Sequence, residues 1–182
     1  MRHIFVDTET TGISPAQGHR IVEIACVEWV DGVPSGRVFH HYFNPQRKVP
    51  AEAVDIHGLT NEFLADQPLF IDLIPDLIEF VIHAEVFIHN APFDLDFLNH
   101  ELRLAGIPTL FSAMCAQVTD TLPVFRQQFA GQPCSLQALC ERQHIHLDAT
   151  GGQWHTALTD AQQLAQLWNA LALVTVPPAS SY

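Results

Sequence analysis

The sequence predicts an α/β domain, and three observations carry that prediction. Apolar runs of strand length, separated by short polar breaks, fill the first 43 residues. From residue 71 onward, apolar residues recur at helical spacing around two further short apolar runs. The first run, Ile4-Phe5-Val6-Asp7-Thr8-Glu9, ends in two carboxylates two positions apart. Residues i and i+2 of a strand point to the same face, so Asp7 and Glu9 project side by side at the carboxyl end of a buried strand. Like charges so placed are unfavourable unless something positive sits between them, and a divalent cation is the obvious candidate. Solvated strand-end acids are the alternative.

Each element follows in order. Thr10-Thr11-Gly12 is a polar turn whose glycine lets the backbone approach a ligand or take a positive φ. Arg20 to Trp29 reads as a second strand, Asp31-Gly32 as a hairpin turn and Val38 to Phe43 as a third strand, together an antiparallel meander. Pro50 to His57 is a short irregular or one-turn helical segment, and Gly58-Leu59-Thr60 leads into Asn61-Glu62-Phe63-Leu64. Ile71 to Ile82 carries Leu73, Ile74, Leu77, Ile78 and Val81 at a helical period, with Pro75 tolerated in the first turn. Glu85 to His89 is expected to be a buried central strand, broken by Asn90-Ala91-Pro92. Phe93 to Ala105 is a helix ended by Gly106; Asp94 stands at its start, where the helix dipole by itself accounts for an acid.

Met114 to Thr119 is the expected fifth strand, Thr121 to Phe129 a helix, and Ser135 the N-cap of a helix over Leu136 to Gln143. The last helix runs from Thr156 to Val174 with Ala161, Leu164, Trp168 and Leu171 in one stripe, which assigns Trp168 to the core. His155 and Asp160 would lie about 140° apart if both were helical, too far to share a site. His155 therefore belongs to the loop before the helix, Thr150-Gly151-Gly152-Gln153-Trp154, which two glycines should make mobile. One domain over residues 1–176 and a short frayed tail at 177–182 are expected.

With 182 residues and 48% hydrophobic content the chain can build one sizeable core. Its 20 acidic residues against 8 basic ones give a net charge of -12, which excludes a conventional basic nucleic-acid binder. Two bound dications would leave the chain acidic, so any hold on phosphates must come locally, through metal. No apolar run approaches the roughly 20 residues of a membrane span. The chain starts in a strand with no visible signal peptide, and Cys26, Cys115, Cys134 and Cys140 form no Cys-x-x-Cys pair. Buried free thiols in a cytoplasmic protein are expected; His144 and His146 near Cys140 are the sole, weak hint of zinc.

In an α/β sheet, ligands bind beyond the carboxyl ends of strands. Parallel orientation of the first and fourth strands would bring Asp7, Glu9 and Asp94 to one edge, and Asp160 on a packing helix can add a fourth carboxylate. Four carboxylates suit hard cations such as Mg²⁺ or Mn²⁺. Two such ions roughly 3.5 to 4 Å apart can clamp the attacking and leaving oxygens of a phosphodiester. His155 would then be the general base that takes the proton from the attacking water.

The segments Val6-Asp7-Thr8-Glu9-Thr10-Thr11-Gly12, Ile21-Val22-Glu23-Ile24, Ile56-His57-Gly58-Leu59, Ile88-His89-Asn90-Ala91-Pro92-Phe93-Asp94, Val118-Thr119-Asp120 and His155-x-Ala157-x-x-Asp160-Ala161 occur in one order over nearly the whole chain. In these the chain resembles the DEDDh branch of 3′-to-5′ exonucleases. A sister branch carries a tyrosine four positions before the last aspartate, where this chain has Thr156. The resemblance implies a ribonuclease-H-like fold: a mixed five-stranded sheet with the first three strands antiparallel and helices on both faces. It implies two divalent cations, Mg²⁺ or Mn²⁺, with Asp7 bridging them, Glu9 and Asp160 on the nucleophile's metal, Asp94 supporting the second, and His155 as base. Products would be nucleoside 5′-monophosphates.

Positions matching those that hold the terminal nucleotide are Thr10, Ile13, Glu52, Ile56, His57, Asn90 and Phe93, with Ile13 and Phe93 flanking the base. Loop and strand-end hydrogen bonds would equally explain His57 and Asn90, and burial would explain Ile13 and Ile56. Two departures limit the carry-over. Gly151-Gly152-Gln153-Trp154 is more glycine-rich than the pattern, and no long tail with a clamp-binding Gln-x-x-Leu/Met-x-Phe motif follows the last helix. The leading expectation is a metal-dependent exonuclease on single-stranded or frayed DNA 3′ ends, in proofreading or repair, with a DNA polymerase catalytic subunit as the candidate partner. An exoribonuclease trimming RNA 3′ ends and a non-cutting polymerase-binding module are the competing readings.

Overall fold

The computed structural model describes residues 1–145 and 155–175. Within it, β1 (Arg2–Thr10), β2 (Ile21–Val30) and β3 (Val33–Tyr42) form the expected meander. The turn at Asp31 and Gly32 has positive φ at both positions, the geometry whose twist matches a two-residue hairpin. β4 (Glu85–Ile88) and β5 (Gln117–Asp120) then add in parallel on the other side of β1, giving the order β3-β2-β1-β4-β5. β1 is thus the strand at which an antiparallel half meets a parallel half, and a crevice opens beyond its carboxyl end.

Seven α-helices are described: α1 (Ala51–His57), α2 (Asn61–Ala65), α3 (Ile74–Val81), α4 (Ala91–Leu104), α5 (Thr121–Gln128), α6 (Leu136–Arg142) and α7 (Ala157–Thr175). The period-2 alternation of β1 divides the core between two faces. Ile4 and Val6 join Ile24, Cys26, Val86 and Ile88 under α3 and α4, whereas Phe5 joins Phe87, Leu164 and Leu167 on the α7 side. Trp168 packs against this second cluster, 4.6 Å from the Phe87 ring, as the stripe predicts.

β3 begins at Val33, five positions earlier than its sequence suggests. Pro34 and Gly36 speak against a strand interior, but β3 is the sheet edge, where a missing ladder donor costs nothing and a bulge is tolerated. The helix expected over 71–82 splits into a 3₁₀ turn at Phe70–Leu73 followed by α3, with Pro75 in the first turn of α3. The fifth strand starts at Gln117, not Met114, because it pairs only with the four residues of β4. Ser135 caps α6 by accepting the Ala138 N–H, as predicted.

Cys26, Cys134 and Cys140 are buried and all four cysteines are free. Burial pushes the Cys140 thiol up to about 11, which keeps it protonated. His146, the 150–154 loop and the 177–182 tail lie outside the described residues. None of the described helices is long and apolar enough to cross a membrane.

Candidate active site

β1 delivers two acids to one face and a hydroxyl to the other. Asp7 and Glu9 share the α7 side of the sheet, and α7 brings Asp160 over them. That close approach depends on small residues: Ala157 and Ala161, one turn apart, pack on Ala25 and Val27 of β2. Thr156 starts the helix by accepting the Thr159 N–H at its hydroxyl, and Asp160 follows in the first turn. One carboxylate oxygen each from Asp7, Glu9 and Asp160 lies within 4.8 Å of the others, and this is the sole such grouping of possible metal ligands among the described residues.

Asp94 reaches the same edge from the opposite layer. It sits in the first turn of α4, buried, and its Oδ1 accepts the Thr8 hydroxyl at 2.6 Å. Asp94 is therefore adjacent to the trio without joining its convergent oxygens. α4 is held in place by a two-pronged pair between Arg20 and Glu101, both contacts at 2.7 Å, which locks the start of β2 to the helix.

The electrostatics are those of a site short of positive charge. Burial, then Asp94, Asp160 and Glu9, raise the Asp7 carboxyl well above the usual carboxylate range. Burial first, with Asp160 next, lifts Glu9 to about 8. Burial lifts Asp94 to about 7 against the opposing bond from Thr8, and burial raises Asp160 against the pull of His155. Oxygen-only donors crowded so that they resist ionisation are the donor set a hard divalent cation requires.

His155 lies before α7, as its angular offset from Asp160 demands. Its Nδ1 is 3.5 Å from Asp160 Oδ2, its ring is 57% exposed, and its backbone N–H donates to the Ile56 carbonyl at 3.3 Å. That last bond ties the histidine to the end of α1. Nδ1 facing a carboxylate leaves Nε2 as the free position on the ring.

Two adjoining cavities share Thr8, Glu9, Ile56 and Phe93. One, of about 310 Å³, holds Asp7, Asp94, Asp160, His155 and Asn90. The other, of about 400 Å³, is lined by Thr10, Ile13, Glu52, Ile56, His57 and Phe93, so every sequence-predicted site residue faces one or both. Ile13 is 83% exposed and Ile56 57%, which removes burial as the explanation for either. His57 is buried, its Nδ1 accepting the Leu59 N–H. Asn90 takes a left-handed conformation that its type tolerates, and its backbone N–H donates to Asp120 at 3.0 Å.

Sequence reasoning missed four contributors. Thr8 holds Asp94, Asp120 holds the Asn90 turn, and Glu23 lies buried against the trio. His19 lines the larger cavity and packs so closely on Gly12 that a Cβ there would come within 2.4 Å of its ring. Strand alternation signals Thr8, whereas the other three depend on tertiary neighbours.

An α/β sheet with carboxylates gathered where its parallel and antiparallel halves meet, beside an apolar pocket, is the arrangement of a metal-using nuclease. The chain belongs to the exonuclease family, whose model, described as Exonuclease, matches residues 4–168. It is similar to proteins named DNA polymerase III subunit epsilon. That of Rickettsia conorii is 48% identical over 168 residues, covering 92% of this chain and 72% of the relative. That of Salmonella typhimurium is 39% identical over 174 residues, covering 93% and 71%. Among solved structures, Exonuclease X in complex with 5′ overhanging duplex DNA matches with a TM-score of 0.74 at 26% identity, over 96% of this chain and 92% of that one. Exonuclease I of E. coli in complex with a dA16 oligonucleotide shares the fold at a TM-score of 0.82 and 19% identity, over 96% of this chain and 41% of that one. These findings make the chain a 3′-to-5′ exonuclease with the ribonuclease-H-like architecture its motifs imply.

Proposed function

We propose that this exonuclease shortens single-stranded or frayed DNA from the 3′ end in replication proofreading, as a companion of a DNA polymerase catalytic subunit. The observation that carries the reading is the convergence of Asp7, Glu9 and Asp160 beside His155, against a pocket large enough for one nucleotide. Asp7, Glu9, Asp94 and Asp160 would hold two divalent cations, Mg²⁺ or Mn²⁺, with Asp7 common to both. Bound there, the cations would supply charge stabilisation at the attacking and leaving oxygens. The rest is the work of side chains. Ile13 and Phe93 flank a base without reading its edge, which suits an enzyme that must remove any mispaired nucleotide. Glu52, His57, Thr10 and Asn90 surround the sugar and terminal phosphate. His155, with Nδ1 held toward Asp160, accepts at Nε2 the proton of the attacking water.

Association with a polymerase is supported by the relatives' name, and the chain's net charge of -12 makes the same demand. An acidic surface grips a phosphate backbone weakly, so sustained cutting needs a partner that holds the strand. The experiment is digestion of a 5′-labelled single-stranded DNA and its RNA counterpart with Mg²⁺, with Mn²⁺ and with chelator. A ladder shortening from the 3′ end only with metal, and faster on DNA, is the expected result. A ladder on RNA alone would reassign the substrate, and cleavage of neither would leave a binding module.

A further inference from the structure

Glu23 takes no part in the mechanism above, yet it is the acid best placed to bear on it. It stands on β2 directly opposite Glu9 in the antiparallel register, so both side chains share one face. The residue is completely buried. Its Oε1 accepts a hydrogen bond from Nε2 of His40 on β3 at 2.8 Å, whereas its Oε2 is buried with no hydrogen-bond partner among the described residues. The pairing with Glu9 sets it beside the cation site, and its charge raises the carboxyls of Asp7, Glu9 and Asp160.

A carboxylate oxygen with no donor in a buried place is costly, and protein interiors rarely leave one so. Glu23 does not belong to the trio whose oxygens converge, so coordination at that point does not satisfy it. A donor that arrives with the ion would satisfy it. Mg²⁺ gives up its waters reluctantly and keeps several when bound by few carboxylates, and such a water has protons to donate outward. We propose that Glu23 is a positioning residue of the cation site: its free Oε2 holds a water carried by the ion at Glu9 and Asp160, while His40 fixes the rotation of the carboxylate. The inference rests on the reading of this cluster as a cation site. It assigns the edge strand β3 a function through His40, which otherwise contributes only an edge-on contact with Tyr42.

The test is Mn²⁺ titration calorimetry on the full chain, with thermal unfolding with and without Mn²⁺, for the wild type, Glu23→Gln, His40→Phe and His40→Gln. Glu23→Gln should fold with an unchanged or raised midpoint in chelator, lose roughly 10- to 100-fold in Mn²⁺ affinity, and keep its KM for an oligonucleotide at saturating Mn²⁺. His40→Phe should weaken Mn²⁺ binding in the same direction, and His40→Gln, which retains a donor, should recover part of the loss. Wild-type Mn²⁺ affinity in Glu23→Gln would overturn the proposal whatever its rate. Should Glu23→Gln fail to fold, equal Mn²⁺ affinity in His40→Phe and the wild type would do the same. A wild type that binds no Mn²⁺ would sink the cation reading itself.

Discussion

Glu9→Gln should stabilise the metal-free protein, by an amount that grows with pH. Glu9 titrates at about 8 in the folded chain, because burial and then Asp160 oppose its charge, against an ordinary value of 4.5. A group whose folded pKa is raised contributes stability that is complete below the unfolded pKa and is lost as pH rises through the folded one. Taken alone, this shift means that stability falls between about pH 4.5 and pH 8, and the part falling between pH 5 and pH 9 is at most about 4 kcal/mol. Glutamine keeps the shape and removes the charge. His57 and His89, whose pKa values burial lowers, act in the opposite sense below about pH 6.5, so the diagnostic is the difference between the two proteins and not either curve alone. Urea unfolding in chelator at intervals from pH 5 to pH 9 measures it. The two proteins should lie within about 1 kcal/mol of each other at pH 5 and separate steadily above it, with the variant more stable. Saturating Mn²⁺ should reverse the order at pH 9, because the wild type gains binding energy that the variant has lost. Equal stabilities across the range would show that Glu9 is solvated and that the crowding argument is wrong.

Three further outcomes follow from the same geometry. Asp7→Ala should abolish cleavage yet leave the metal-free fold intact or more stable, by relieving like-charge repulsion; loss of cooperative unfolding in that variant would mark the strand-end acids as structural. His155→Ala should slow hydrolysis roughly 10²- to 10⁴-fold while calorimetric Mn²⁺ affinity stays near wild type, and a near-normal rate would remove His155 from the chemistry. Thr8→Val takes away the hydroxyl that holds Asp94 down, so Asp94 should ionise later and the acidic limb of the pH–rate profile should move to higher pH by about one unit; an unmoved limb would show that Asp94 need not ionise.

The parts of this molecule that sequence made legible are those governed by a local period. Alternation put Asp7 and Glu9 on one face, and the helical angle separated His155 from Asp160. Run length and turn chemistry located the meander. What stayed hidden depends on neighbours distant in the chain. Pro34 and Gly36 argue against a strand until β3 is known to be an edge. Ile13 and Ile56 are of a type normally buried, and only the assembled pocket explains why both stand exposed at its rim. Asp94 has a sufficient local explanation in its helix start, so the hydroxyl that reaches it from Thr8 of β1 could not be read from its own segment.

An acidic cluster built this way sets stability against function. Asp7, Glu9, Glu23, Asp94 and Asp160 come from β1, β2, α4 and α7, so no single element can relax to separate them. Their repulsion is sustained by packing on both sides of β1: Phe5 stacked on Phe87 under α7, and Ile4 and Val6 under α3 and α4. Asp7, Glu9 and Thr8, which holds the fourth acid, are adjacent residues of β1, so a shift of that strand would disturb both halves of the site together. The reverse also holds, since binding that neutralises the acids removes a strain borne by both layers. Core substitutions beneath β1, such as Phe5→Leu, should therefore weaken Mn²⁺ binding as well as lower the melting temperature, whereas equally destabilising changes in α2, whose buried Leu64 packs in a separate cluster, should lower melting alone. Thermal unfolding with and without Mn²⁺ on matched variants separates the two, and an equal metal-induced shift in both would show that the acids are held locally and not by the core.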